Sequence, residues 1–132
     1  FYEGARVHEQ RWKEHGARLL DVADLVEKGL KMSAEQYERA TRHIAEGKSR
    51  LSDLYKTTPV ILVPAATGPP PRGLSTTGDA RMYAPWTALG TPAISIPMPT
   101  PALPVGLQLT AEHGQDARLL QTAVRIQRLL NT

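Results

Sequence analysis

Hydroxyl, imidazole, amine and carboxylate side chains are the groups through which this chain could attack a carbonyl or bind a metal. They are scattered along it. The four histidines are His8, His15, His43 and His113. His8 and His15 fall seven residues apart and can share a helix face. Neither opens a His-Glu-x-x-His pattern, and no carboxylate supplies a third ligand at usable spacing. They read as solvated or hydrogen-bonded structural histidines, and no metal or other cofactor is expected. With no cysteine in the chain, thiol nucleophiles, thiolate metal sites and disulfides are excluded.

The serines are Ser33, Ser49, Ser52, Ser75 and Ser95. Ser33 is placed to cap a helix, and Ser49 and Ser52 fall on a polar helix stretch. Ser95, between Ile94 and Ile96, reads as a small hydrogen-bonded core residue. The run Ser75-Thr76-Thr77-Gly78 is the exposed hydroxyl cluster, but no lysine or histidine stands near it in sequence to act as base. No catalytic residue is assigned. The Gly- and Pro-rich stretch from Thr67 and Gly68 to Gly78 lacks a terminal Gly-Lys-Ser/Thr. Its Pro69, Pro70 and Pro71 also remove N–H groups that would cradle a phosphate.

These groups must be positioned by the surrounding elements. The 132 residues, 41% hydrophobic and 22% charged, fit one globular domain with one core. Helices are expected over 1–15, with Gly16 as stop, and over 21–28, with Asp21 as N-cap and Gly29 as the left-handed C′ residue. A third spans 33–55 and opens on the capping box Ser33-Ala34-Glu35-Gln36. Gly47 within it implies close packing. The β-branched run Val60-Ile61-Leu62-Val63, bounded by Pro59 and Pro64, reads as a strand buried on both faces.

A long loop follows over 65–85, of the kind that is usually functional. A helical turn at 86–89, strands over 93–96 and 105–110, and a helix over 116–130 complete the chain. Gly106 marks a close backbone approach. The fold class expected is α/β, with helices on a short mixed, mainly parallel sheet that is an incomplete part of a larger α/β/α fold. Three strands leave edges unpaired, so the chain is expected to self-associate.

The charge balance, 16 basic against 13 acidic residues, is only mildly basic. Arg118, Arg125 and Arg128 on the last helix read as a solvated face, and 5% aromatic content offers no stacking platform. Nucleic acid is therefore not the expected partner. No apolar run approaches the roughly 20 residues that span a bilayer, and no charged start precedes an apolar stretch. No membrane association and a cytoplasmic location are the expectations. The chain opens at Phe1 on what reads as mid-helix, so it is expected to be a piece of a longer protein.

The order of motifs in the second half carries a resemblance. Val63-Pro64 is followed by Ser75-Thr76-Thr77-Gly78-Asp79, then by Trp86-Thr87-Ala88-Leu89-Gly90-Thr91-Pro92-Ala93-Ile94-Ser95-Ile96-Pro97 and by Leu103-Pro104-Val105-Gly106-Leu107-Gln108-Leu109. This succession resembles the C-terminal third of an amidase signature family enzyme. Tyr2-Glu3-Gly4-Ala5-Arg6, the helix over 33–55 and Asp116-Ala117-Arg118-Leu119-Leu120 fit as well, so the resemblance spans nearly the whole chain.

The resemblance implies hydrolysis of a carboxamide by a serine, a second serine in a cis peptide and a lysine, with backbone N–H groups stabilising the oxyanion. That machinery lies upstream in the family, and nothing here matches it. The chain is accordingly expected to be inactive alone, with the upstream part of the same enzyme as its partner and a small-molecule amide as the parent's substrate. It would make up the C-terminal part of an amidase-type domain over 1–132, with 1–56 helical and 59–132 completing the sheet. Its substrate-cleft candidates are Thr77, Gly78, Asp79, Arg81 and Trp86. Trp86 would serve as a flat wall or pack in the core, and Asp79 would orient substrate or cap a turn. The alternatives are the amide-transferring subunit acting on misacylated transfer RNA, and a non-catalytic binding or assembly module.

Overall fold

A computed structural model describes residues 1–131 of the chain. They form two compact units, Phe1–His43 and Ile44–Thr132, with the boundary inside one long helix.

In the first unit, α1 (Tyr2–His15) and α2 (Asp21–Leu30) are joined by a 3₁₀ turn, Gly16–Leu19, and followed by the start of α3 (Ala34–Thr57). Gly16 stops α1 with φ 50°, as its type allows. The expected N-cap of α2 is displaced: Leu20, at φ 49°, precedes the helix and Asp21 is its first residue. Gly29 likewise does not leave the helix in a left-handed turn but lies buried inside it. Its reason is packing. A Cβ there would overlap the Phe1 carbonyl and come within 2.5 Å of the Ala5 Cβ. Small residues thus let α1 and α2 approach closely, around a core of Ala5, Ala23 and Val26. Tyr2 and Tyr37 stack at 4.3 Å, and Tyr37 donates to Glu3 at 2.5 Å, tying α1 to the first turns of α3. The capping box forms as read: Gln36 N–H donates to Ser33 Oγ at 3.1 Å, and Ser33 N–H donates to Gln36 Oε1 at 2.8 Å.

The second unit holds the rest of α3, then β1 (Val60–Pro64), a 3₁₀ turn Ala80–Met82, α4 (Ala84–Leu89), β2 (Ala93–Pro97), β3 (Gly106–Ala111) and α5 (Asp116–Leu130). The expected strands and helices are all present, but the sheet is not mainly parallel. Its order is β1-β3-β2, and both pairings are antiparallel. The cause is legible in the connection between β2 and β3, which spans only residues 98–105. A parallel crossover needs roughly a dozen residues or more. That loop closes as a broad hairpin, with Met98 N–H donating to Val105 O at 3.0 Å.

Antiparallel pairing also puts β3, not β1, in the middle. The doubly covered strand is therefore β3, whose Gln108, Leu109, Thr110 and Ala111 are all buried. β1 is an edge strand, with Leu62 48% exposed. One sheet face packs on α5: Ile96, Leu109, Ala111, Leu119 and Ala123 form the core, with Val60, Ile94, Leu107, Ile126 and Leu130 against it. The opposite face carries Gln108 and Thr110, which meet Met82 and α3 through hydrogen bonds. Ser95 lies on that polar face too, opposite Gln108, and is exposed rather than buried in the core. Gly47 does mark a close contact: a Cβ there would stand 3.1 Å from Leu89 Cδ2. Among the described residues no helix is long and apolar enough to cross a membrane.

Candidate functional site

Two of the concavities lined by described residues of the second unit bear on function. The larger of these is an open groove of about 630 Å³ at one end of the sheet, within the usual 300–1,000 Å³ of small-molecule sites. Leu62 and Val63 of β1, Met82 of the 3₁₀ turn, Met98 and Val105 of the β2–β3 loop, and Leu107 of β3 supply its apolar walls. Antiparallel register explains the gathering, because Pro64 faces Leu107 and Pro97 faces Gly106 at this end. Gly106 provides the close approach expected of it: a Cβ there would stand 2.5 Å from Ser95 Oγ and 2.9 Å from Ala65 Cβ.

Three of the five residues singled out from the sequence border this end of the sheet. Thr77, Gly78 and Asp79 line a recess of about 240 Å³ that shares Ala66, Thr67, Gly68, Val105 and Gly106 with the groove. The loop is held locally. Gly78, at φ 96°, donates its N–H to Thr76 Oγ1 at 3.1 Å. Asp79 caps the 3₁₀ turn, accepting from Arg81 N–H at 2.8 Å, while its other oxygen meets Arg81 Nε at 2.7 Å. Being exposed, that ion pair contributes little to stability. It does present a neutralised, two-sided polar edge.

Arg81 and Trp86 do not line the groove. Trp86 is partly buried, and its Nε1–H is buried without a hydrogen-bond partner. No local pattern marks Met82, Met98 or Leu107 as lining residues. Only the short 98–105 connection, read as a hairpin, would have brought them together.

The smaller cavity, about 200 Å³, is lined by Lys48, Leu51, Ser52, Tyr55, Leu89, Thr91, Glu112 and His113. It contains a serine and a lysine one helical turn apart, Ser52 and Lys48, the residue types of an activated nucleophile. Ser52 donates not to Lys48 but to Glu112 Oε1, at 2.7 Å. Ser52 also sits inside α3, where backbone N–H groups are taken up by the helix, leaving none to stabilise an oxyanion. Beneath it the buried Tyr55 hydroxyl lies 3.0 Å from Thr110 Oγ1, and burial raises the Tyr55 pKa above its ordinary value. These are ties between α3 and the sheet. Ser75 lies exposed in the long loop, and Ser33 is spent as a cap. Among the described residues no three His, Asp or Glu side chains gather as metal ligands.

Comparison with known proteins gives a consistent result. A family model described as Amidase matches residues 10–120. "Putative amidase AmiC" of Mycobacterium leprae (strain TN) is 31% identical across 67% of this chain and 22% of its own length. A solved structure described as an amidase superposes with TM-score 0.84 at 25% identity, over 98% of this chain and 33% of that one. A 6-aminohexanoate cyclic dimer hydrolase solved with its substrate superposes with TM-score 0.70 at 20% identity, again over 98% and 33%. The latter likeness concerns fold alone. The chain spans about a third of the length of these structures and about a fifth of the curated relative.

Proposed function

The chain belongs to the amidase family, and from that premise we propose that it is the C-terminal part of an enzyme that hydrolyses the carbon–nitrogen bond of carboxamides. In this reading the residues 1–132 complete the sheet of the larger domain and form one wall of the substrate cleft. The observation that carries it is a pairing of two facts. The chain superposes over 98% of its length on one third of an amidase, and its described residues contain a lined groove but no activated nucleophile with an oxyanion site.

The groove suits a wall role. Its apolar side chains favour burial of the hydrocarbon part of a small amide substrate, and Thr77, Gly78 and Asp79 offer polar contacts in the adjoining recess, with Arg81 included through its ion pair to Asp79. Thr77, Gly78, Asp79 and Arg81 are the cleft residues proposed here. Trp86 joins them only if an acceptor from outside this chain reaches its indole N–H. The nucleophile, the proton-relaying serine and the lysine belong to the preceding polypeptide. The enzyme is proposed to work in the cytoplasm; among the described residues no helix is long and apolar enough to cross a membrane.

The test is a comparison of two proteins. The longer enzyme releases ammonia from propionamide or benzamide, and the purified 132-residue chain releases none. Turnover by the chain alone, lost in Ser52→Ala or Ser75→Ala, would refute the assignment.

A further inference from the structure

Gln108 and Thr110 are the two buried polar residues in the centre of the sheet, at 6% and 0% exposure. Thr110 is accounted for by its bonds to Pro92 O, Thr91 and Tyr55, all structural. Gln108 is different. Its Nε2–H donates at 3.2 Å to the main-chain oxygen of Met82, 26 residues earlier. That oxygen can only accept, so the amide nitrogen must be the atom facing it.

Met82 ends the 3₁₀ turn that Asp79 caps, and its side chain lines the groove. The stretch leading into this turn, 65–79, contains no helix or strand of its own. The Gln108 bond is therefore a direct link between the central strand and the segment that carries Met82 to the groove and Asp79 to the adjoining recess. A glutamine in mid-strand also costs burial of a carboxamide, which an apolar residue would avoid.

The geometry points to Gln108 as a positioning residue for substrate: through Met82 O it fixes the turn that brings Met82 into the groove wall. This rests on the reading of the groove as a cleft wall. It acts on the part of the substrate remote from the scissile bond, so its loss is felt in binding of extended substrates rather than in the chemical step.

The longer enzyme carrying Gln108→Met, which matches the shape without the donor, tests this with acetamide, hexanamide and 4-phenylbutyramide as probes. Met82→Ala serves as the reference for loss of the wall itself. The expected result is a KM raised roughly three- to ten-fold for the two extended amides, the equivalent of one neutral hydrogen bond. The KM for acetamide, and kcat throughout, stay within about two-fold of the parent values. If Gln108→Met does not fold, Gln108→Asn keeps the carboxamide but withdraws it by one methylene, and the same split is expected. KM ratios that move in Met82→Ala but not in the Gln108 variants overturn this inference and leave the groove reading intact. Ratios unmoved in every variant overturn both. A uniform loss of activity on all three amides, with a lower melting temperature, identifies Gln108 as structural only and also overturns it.

Discussion

Tyr55 and Thr110 join α3 to the central strand across the polar face of the sheet, and the energetics of that join can be worked from the hydrogen-bond geometry. Thr110 has one hydroxyl proton. Pro92 O, 2.9 Å away, can only accept, so Thr110 donates there. Tyr55 must then donate to Thr110 Oγ1 across 3.0 Å. Tyr55→Phe removes that donor and leaves Thr110 bonded to Pro92 O, for a cost of about 1 kcal/mol. Thr110→Val removes that acceptor, leaves the Tyr55 hydroxyl with Thr91 alone and also breaks the Thr110 bonds to Pro92 O and Thr91, so it costs more, about 2–3 kcal/mol. The double variant has no under-satisfied phenol left at this join. Its cost is therefore about 2 kcal/mol, less than the sum of the two single costs, with a coupling of roughly 1 kcal/mol or more. Urea unfolding of the 132-residue chain, followed by far-ultraviolet circular dichroism at one fixed concentration, measures all four corners of the cycle. Costs that add within about 0.3 kcal/mol, or a Thr110→Val variant milder than Tyr55→Phe, would show that the assigned proton direction and the buried tie are wrong.

Other expectations follow from the same geometry. Gly29→Ala forces a Cβ into the Phe1 carbonyl and Ala5; a loss of about 1–3 kcal/mol is expected, seen as a lowered urea midpoint, and an unchanged midpoint would count against the close α1–α2 packing. At alkaline pH the chain should weaken. Burial raises the Tyr55 pKa, the Glu3 hydrogen bond raises that of Tyr37, and the Asp53 hydrogen bond raises that of Lys56. Above about pH 10 the unfolded chain sheds protons that the folded chain still holds, so the stability present below that pH is lost as pH rises through the folded values. Urea midpoints at about pH 8 and about pH 10.5 should fall in the parent and fall less in Tyr55→Phe; equal falls would contradict the Tyr55 assignment. Leu62, Leu120 and Val124 are 48%, 54% and 46% exposed, and β1 has a free edge, so gel filtration of the isolated chain should give species larger than a monomer; a sharp monomer peak at tens of micromolar would argue against uncovered docking faces.

Local chemistry was legible in the sequence wherever the partners are neighbours along the chain. Ser33 and Gln36 announce their capping box three residues apart, and prolines at 59, 64, 92 and 97 bracket two of the strands. Rules of position failed where packing overrode them. Gly29 follows a helical run and invited a C′ assignment, yet the tight approach of α1 made it an interior residue. Strand direction went astray because four consecutive β-branched and leucine residues suit a buried parallel strand and an antiparallel edge alike.

The candidate site divides in the same way. Thr77, Gly78 and Asp79 stand together in sequence and border the groove together, whereas Met82, Met98, Val105 and Leu107 reach it from separate segments. Ser52 and Glu112 are 60 residues apart, and Gln108 and Met82 are 26 apart. Such pairings depend on register and on how α3 crosses the sheet, which hydrophobic periodicity does not encode.

In the proposed enzyme the carbonyl is attacked by a serine outside these 132 residues. Labelling of the longer enzyme with a fluorophosphonate, followed by proteolysis and mass spectrometry of the modified peptide, tests it most directly. A single modified serine, in the polypeptide preceding Phe1, is expected. Stoichiometric modification of Ser52 or Ser75, with concurrent loss of amide hydrolysis, would contradict it.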